Sequence, residues 1–348
     1  MSIVHQKGVK LNKGDKVAIL SPSNGLPGLF PWVQDYGLKR LKDDFGLIPV
    51  EYPTTRQMGS SLKDRARDIM DAFSDKEIKA IITSIGGNDQ IKLLKYLDKE
   101  VIKNNPKPFL GFSDNTHLHI FLWKLGIPSY YGGSIMNQFA MQNKMIDQTV
   151  KSINNSLFDL PGLVEITACT EFTDIGHNWA DESTLNTPRK FEPNEGFIFD
   201  GTKNAKGILF GGCIESMVAE ASANFLPDEE DLKDAILILE SSESMIEPWV
   251  VQYLLTGLDE RGILENLSGV LVGRPKTWDF SKQLNEEERK AFKQKQRDAI
   301  KTTVREYNQE IPIVFNVDFG HTDPQTLVPL GREAVIDVDN KKLYYDYS

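Results

Sequence analysis

The chain has 348 residues, 40% of them apolar and 26% charged, with a formal charge of −10 at neutral pH. A single core stops growing at roughly 250–300 residues, so two domains are expected, and the composition is that of a globular protein rather than a disordered one. The acidic balance argues against a nucleic-acid polymer as partner, since duplex binding needs basic side chains to neutralise phosphates, and no stretch approaches the roughly 18 apolar residues of a membrane span.

Residues 1–10 carry no apolar core of signal-peptide length, so a cytoplasmic protein that does not bind membranes is expected. In the first half, strands are read at 16–20, 47–52, 78–85, 108–112 and 127–131. Helical patterns lie between them: one carrying Trp32, Tyr36, Leu38 and Leu41, then 62–73, 90–97 and 116–125, with a last one at 145–157. Strands alternating with helices imply βαβ units and a parallel sheet covered on both faces. From about 159 to 206 the periodicity is lost and Pro, Gly, Asn, Asp and Thr become frequent, which marks a connector or functional loop. The expected division is 1–160, a connector at 161–206, and 207–348.

Regular structure resumes with strands at 207–210, 235–239, 269–272 and 311–317 and helices at 216–223, 248–258 and 284–308, the last a charged helix of mixed sign. The tail, 325–347, alternates with period two around a turn at Asp339-Asn340, predicting closing antiparallel strands. The fold class is therefore α/β: an N-terminal parallel-sheet domain and a C-terminal α/β domain with antiparallel closing strands, with a site in the cleft between them.

Three residues with catalytic chemistry follow predicted strands: Ser113 after 109–112, Glu240 after 235–239, and His321 after 311–319. Ligand crevices in open parallel sheets lie beyond the carboxyl ends of the strands, so these side chains can converge. A serine hydroxyl needs a base to take its proton, an imidazole serves near neutral pH, and a carboxylate on its far nitrogen fixes the tautomer. Gly111-Phe112-Ser113-Asp114-Asn115-Thr116 reads as a strand-to-helix turn, but Asn115 stands where a G-x-S-x-G elbow has its second glycine, which weighs against the α/β-hydrolase fold. Gly86-Gly87-Asn88-Asp89 follows the 78–85 strand, where the amides of Gly87 and Asp114 could hold an oxyanion.

Each reading has a plainer rival. Ser113 could be a helix N-cap, Glu240 could cap the next helix, and Glu215 and Glu243 compete with it as the orienting acid. Of the five histidines, His117 and His119 read as packing or surface residues, His177 lies in the connector, and His321 is the best base. The two cysteines, Cys169 and Cys213, read as inert thiols, and an amidotransferase-like use of Cys213 is the weaker reading because no histidine is near it in sequence. No H-E-x-x-H, Cys/His cluster, Walker loop or G-x-G-x-x-G is present.

Taken together, Gly86-Gly87-Asn88, the serine block 111–116, Gly211-Gly212-Cys213, Leu237-Ile238-Leu239-Glu240 and Gly320-His321-Thr322-Asp323-Pro324 resemble the LD-carboxypeptidase family in identity, order and spacing. The resemblance implies a Ser113–His321–Glu240 triad acting through an acyl-enzyme, no metal or organic cofactor, and a homodimer. Family members remove a terminal D-amino acid from cell-wall peptides, whereas the microcin C immunity peptidases cleave peptidyl- or aminoacyl-nucleotide conjugates. The Gly-Gly-Asn-Asp turn and the long connector lean toward the immunity branch, so the expected partner is a small peptide or aminoacyl-nucleotide substrate.

Substrate-binding candidates are Gly86, Asn88, Trp179 and Arg274. Trp179 is either an aromatic platform for a nucleobase or an anchor for the connector. Arg274 either holds a substrate carboxylate or makes a structural ion pair. From another class, a protein that keeps the cleft and binds peptides or nucleotide conjugates without turnover remains the alternative.

Overall fold

The structure, a computed structural model, describes residues 3–348. A first sheet has six strands in the order Val328–Leu330, Ser129–Tyr131, Phe109–Gly111, Ile78–Thr83, Lys16–Leu20 and Ile48–Glu51. The five from the first half of the chain run parallel. Apolar side chains alternate between two cores along these strands, with Val17 and Ile19 facing one and Ala18 and Leu20 the other. That alternation is why the strands read as continuous apolar runs and why helices lie on both faces.

The helices begin where local chemistry starts them. Ser61 accepts the Asp64 amide at 3.1 Å ahead of Leu62–Ser74, and proline stands in the first turn of both Pro31–Asp43 and Pro248–Asp259. Asn285 and Glu288 form a reciprocal capping box at the start of Glu286–Tyr307.

A second sheet has eight strands, ordered Leu163–Ile166, Lys342–Asp346, Glu333–Asp337, Ala205–Cys213, Ile236–Glu240, Gly269–Gly273, Ile313–Val317 and Ile198–Asp200. Its four central members, Ala205–Cys213 to Ile313–Val317, are parallel, and the pairings outside them are antiparallel. The two closing strands of the tail pair as expected, Ala334 opposite Tyr345. One core joins the sheets: Val17 and Tyr131 belong to the same apolar cluster as Ile238 and Val314. Trp123, on helix Thr116–Lys124, packs 5.2 Å from Phe210 and donates to the Leu209 carbonyl at 3.1 Å.

Two features depart from the expectation. Val328–Leu330, from the far end of the chain, pairs antiparallel with Ser129–Tyr131 and completes the first sheet. Leu163–Ile166 and Ile198–Asp200, within the segment read as irregular, form the two edges of the second sheet. Both are short and only partly buried, so they carry little of the period-two signal that burial on one face imposes.

Ile238 is fully buried in a strand paired on both sides. Ile238→Ala is expected to cost about 2–5 kcal/mol of stability, read as a lower midpoint in chemical denaturation.

Candidate active site

The turn that presents Ser113 is held under strain. Phe112 is extended, Ser113 takes φ +65°, and the chain then enters Ser113–Asn115 and helix Thr116–Lys124. A positive φ costs a non-glycine residue about 1–3 kcal/mol, so the surroundings must enforce it. They do so from several directions. The Ser113 amide donates to the Tyr131 hydroxyl at 3.0 Å, its carbonyl accepts from Thr116 Oγ1 at 2.7 Å, and Asn115 Nδ2 donates to the Phe112 carbonyl at 3.0 Å. Gly86 abuts the serine so closely that a Cβ there would lie 3.1 Å from Ser113 Oγ.

Glu240 ends its strand in full burial, and both carboxylate oxygens are occupied. Tyr131 donates to Oε1 at 2.5 Å and His321 Nδ1 bonds Oε2 at 2.7 Å. Gly320 has φ +92°, and a Cβ there would sit 2.6 Å from Glu240 Oε2, so glycine is what lets the chain pass over the acid and deliver His321 onto it. Burial by itself would lower the imidazole pKa, but the Glu240 carboxylate, followed by Glu243 and Glu215, outweighs it and pushes His321 up to about 9. The Phe112 ring meets the imidazole edge-on at 5.0 Å.

The competing acids occupy other places. Glu215 accepts the Ser242 amide and hydroxyl and the Cys213 thiol. Glu243 lies 3.5 Å from His321 Nε2, on the opposite side of the ring from Glu240. Cys213 is buried, and burial together with the neighbouring Glu240 and Glu215 pushes its thiol well above the ordinary range, which disfavours the thiolate an amidotransferase would need.

The glycine loop is fastened to the serine turn by Asp114, whose Oδ2 accepts the Asp89 and Gln90 amides at 3.1 and 3.0 Å. Arg65 holds the same loop through a two-pronged contact with Asp89 at 2.8 and 2.9 Å. His117, read from sequence as packing or surface, is buried between two acids. It lies 3.3 Å from Asp114 and 2.6 Å from Glu220, and although burial opposes protonation these carboxylates raise it to about 9. His119 is a packing histidine, bonded to Ser129 Oγ and the Gly111 carbonyl and held down at about 4 by burial.

A cavity of about 640 Å³ takes in Ser113 and His321 with Gly86, Gly87, Asn88 and Trp179. Trp179 forms part of its wall while packing 5.9 Å from Phe30, and its carbonyl accepts the Trp32 indole at 2.9 Å. Trp278 and Phe280, 4.6 Å apart, add a further aromatic wall. The sequence reading missed this pair; the signal was two aromatics two residues apart in an otherwise polar loop. Arg274 lies outside the lining, 2% exposed, with its guanidinium on Asp318 at 2.6 Å and Thr322 at 3.1 Å and over the Phe172 ring. Of its two readings, this geometry is that of the structural ion pair.

Strands that bring a serine and an imidazole to one cavity, with a buried acid bonded to that imidazole from behind, suit a serine-type hydrolytic enzyme. Residues 17–132 match the LD-carboxypeptidase N-terminal domain and residues 206–336 the LD-carboxypeptidase C-terminal domain. The chain belongs to this family and is a serine-type carboxypeptidase. A Vibrio cholerae chain provisionally named a carboxypeptidase is 27% identical over 335 residues, covering 95% of this chain and 94% of the relative. The microcin C7 self-immunity protein MccF of Escherichia coli is 26% identical over 285 residues, 81% of this chain and 78% of the relative. Among solved structures, an MccF-like protein from Streptococcus pneumoniae in complex with AMP superposes with a TM-score of 0.82 at 29% identity, covering 96% of this chain and 99% of that one.

Tyr131→Phe would leave a buried carboxylate oxygen and the Ser113 amide without their partner, and is expected to cost about 1–3 kcal/mol. Asp318→Ala would strand the buried Arg274 charge and is expected to cost more, about 3–5 kcal/mol. Urea titration of the two variants checks the order.

Proposed function

We propose that the protein hydrolyses an amide-type bond through an acyl-enzyme, with Ser113 as nucleophile, His321 as general base and Glu240 holding the imidazole, in a cleft between domains 1–160 and 207–348. The observation that carries this reading is the 2.7 Å bond from His321 Nδ1 to buried Glu240, which leaves Nε2 as the proton acceptor in the cavity that Ser113 also lines. In the first half-reaction the Ser113 oxygen bonds to the scissile carbonyl carbon while its proton passes to His321 Nε2. The amides of Gly87 and Asp114 receive the oxyanion, and His321 then gives the proton to the leaving nitrogen as the amide bond breaks. Water, deprotonated by the same nitrogen, releases the acyl group and regenerates the serine. Glu240 stays ionised throughout.

The substrate class is a peptidyl- or aminoacyl-nucleotide conjugate. Support comes from the aromatic wall of Trp179, Trp278 and Phe280, since flat rings stack on nucleobases, from the self-immunity relative, and from the AMP held by the S. pneumoniae neighbour. Gly86 and Asn88 line the serine side of the same cavity and would face the acyl group. A cytoplasmic homodimer belongs to the same proposal, and light scattering reads the oligomer.

Ser113→Ala and His321→Ala are each expected to lower turnover by roughly four to six orders of magnitude with the fold retained, because members of such a triad act as a unit. Near-normal turnover by either purified variant overturns the assignment. Hydrolysis of an aminoacyl sulfamoyl adenosine should exceed that of an L,D-tetrapeptide; the reverse order would move the activity to cell-wall peptides. A serine-reactive phosphonate should leave one adduct, on Ser113, and its absence would favour a binding protein.

A further inference from the structure

Two carboxylates face the His321 ring from opposite sides. Glu240, at the end of its buried strand, bonds Nδ1 and cannot leave without exposing a buried charge. Glu243, in the loop that follows, lies 3.5 Å from Nε2, the nitrogen through which a base must receive the serine proton. Its side chain is 52% exposed, and among the described residues it has no hydrogen-bond partner. Glu215, at the start of helix Ile214–Ser222, is fixed by Ser242 and Cys213. The ammonium of Lys276 reaches the His321 and Asp174 carbonyls at 3.3 and 2.8 Å, and Arg189 is paired with Asp323 at 2.5 Å. Tyr131 touches Glu240 rather than the ring. Glu243 is thus held, among the described residues, by no hydrogen bond, only by the charges of His321 and of Lys276 across the cavity.

An acid on Nε2 works against the reaction. It favours a proton on the nitrogen that must accept one, and it stands beside that nitrogen in the cavity that the Ser113 hydroxyl shares; among the described residues that hydroxyl makes no hydrogen bond to His321. The contact must therefore break before attack, and the partner best able to draw a half-exposed carboxylate from an imidazolium is another cation.

We propose that Glu243 is a displaceable latch on the Nε2 side of His321, released when the substrate presents an ammonium group near the scissile bond, so that Glu243 makes the site selective for acyl groups carrying a free amine or basic side chain. The proposal rests on the reading of His321 as the base and deepens it by naming the charge of the acyl group. The sign of the pH dependence follows. With the imidazole pKa raised to about 9, the free enzyme holds His321 mostly protonated at neutral pH, and the neutral base appears only as pH rises through that value. Removing Glu243 takes away one of the charges that hold the proton, so the base should appear at lower pH.

The test uses the full chain and the Glu243→Gln variant. The His321 resonance, assigned by its loss in His321→Ala, should titrate at least about one unit lower in Glu243→Gln than in the parent. Labelling of Ser113 by a phosphonate should become faster at pH 6–7 in the variant. For substrate, an aminoacyl sulfamoyl adenosine with a free α-amine should exceed its N-acetylated form by about tenfold or more in kcat/KM, and Glu243→Gln should erase most of that ratio through a higher KM for the free amine. An unchanged His321 titration overturns the latch, and a shifted titration with an unchanged amine preference overturns the selectivity. If Ser113 labels in neither protein, the nucleophile assignment fails, while the titration still decides whether Glu243 acts on His321.

Discussion

Everything around the site is arranged about one buried charge. A carboxylate taken out of water is tolerated only when its oxygens are bonded, and Glu240 has one donor from each sheet region: the Tyr131 hydroxyl from the first and the His321 imidazole beyond the second. The bond to Tyr131 does more than neutralise an oxygen. The same hydroxyl accepts the Ser113 amide, so the backbone of the strained serine, the tyrosine, the acid and the imidazole form one connected chain of hydrogen bonds. The relative position of serine and base is thus set by a tyrosine that itself does no chemistry in the proposed reaction, and any shift of one sheet against the other would unmake the solvation of Glu240.

The strain at Ser113 is borne by a second network on the opposite side of the turn. Asp114 bonds the loop that contains Gly86 and Gly87 and is itself bonded by His117, which Glu220 holds from behind. Placing His117 between two carboxylates raises the imidazole against its burial, and the same contact lowers Asp114 although burial opposes it. An Asp114 so held accepts from two amides at once, and this keeps the Gly86–Gly87 backbone against the serine, where an oxyanion would form.

What could be read from the sequence and what could not divides along contact distance. Ser113, Glu240 and His321 were legible as candidates because each follows an apolar run that ends abruptly, and strand ends in parallel sheets point to one edge. The parallel order of the first sheet followed from the alternation of helix and strand. Tyr131 and His117 were invisible as site residues, since their partners Glu240 and Glu220 lie 109 and 103 positions away and no local pattern encodes such pairs. The crossing of Val328–Leu330 into the first sheet was hidden for the same reason, because a strand of three residues is compatible with either sheet. Arg274 showed only that a cation follows a strand; the acid that claims it, Asp318, sits on the next strand's exit.

That ion pair explains why motion in the site should be sought in the acid loop and not in the base. Asp318 accepts from Arg274, from the Cys169 amide at 2.7 Å and from Gln148, and its carbonyl takes the Thr326 amide at 2.6 Å, closing the segment 318–326 into a loop pinned at its root. Within that loop the Gln325 side chain donates to the Gly320 carbonyl, and Asp323 exchanges backbone bonds with Thr173 on the connector. His321 therefore projects from a scaffold bonded on three sides, with Glu240 beneath it. The 241–245 turn has the opposite character: Ser242 bonds within it and to Glu215, but Glu243 extends from it half into solvent. A pinned imidazole, the proposed base, beside a half-exposed carboxylate is the arrangement in which substrate charge, acting on the side chain with fewer bonds, would govern when that imidazole can accept a proton.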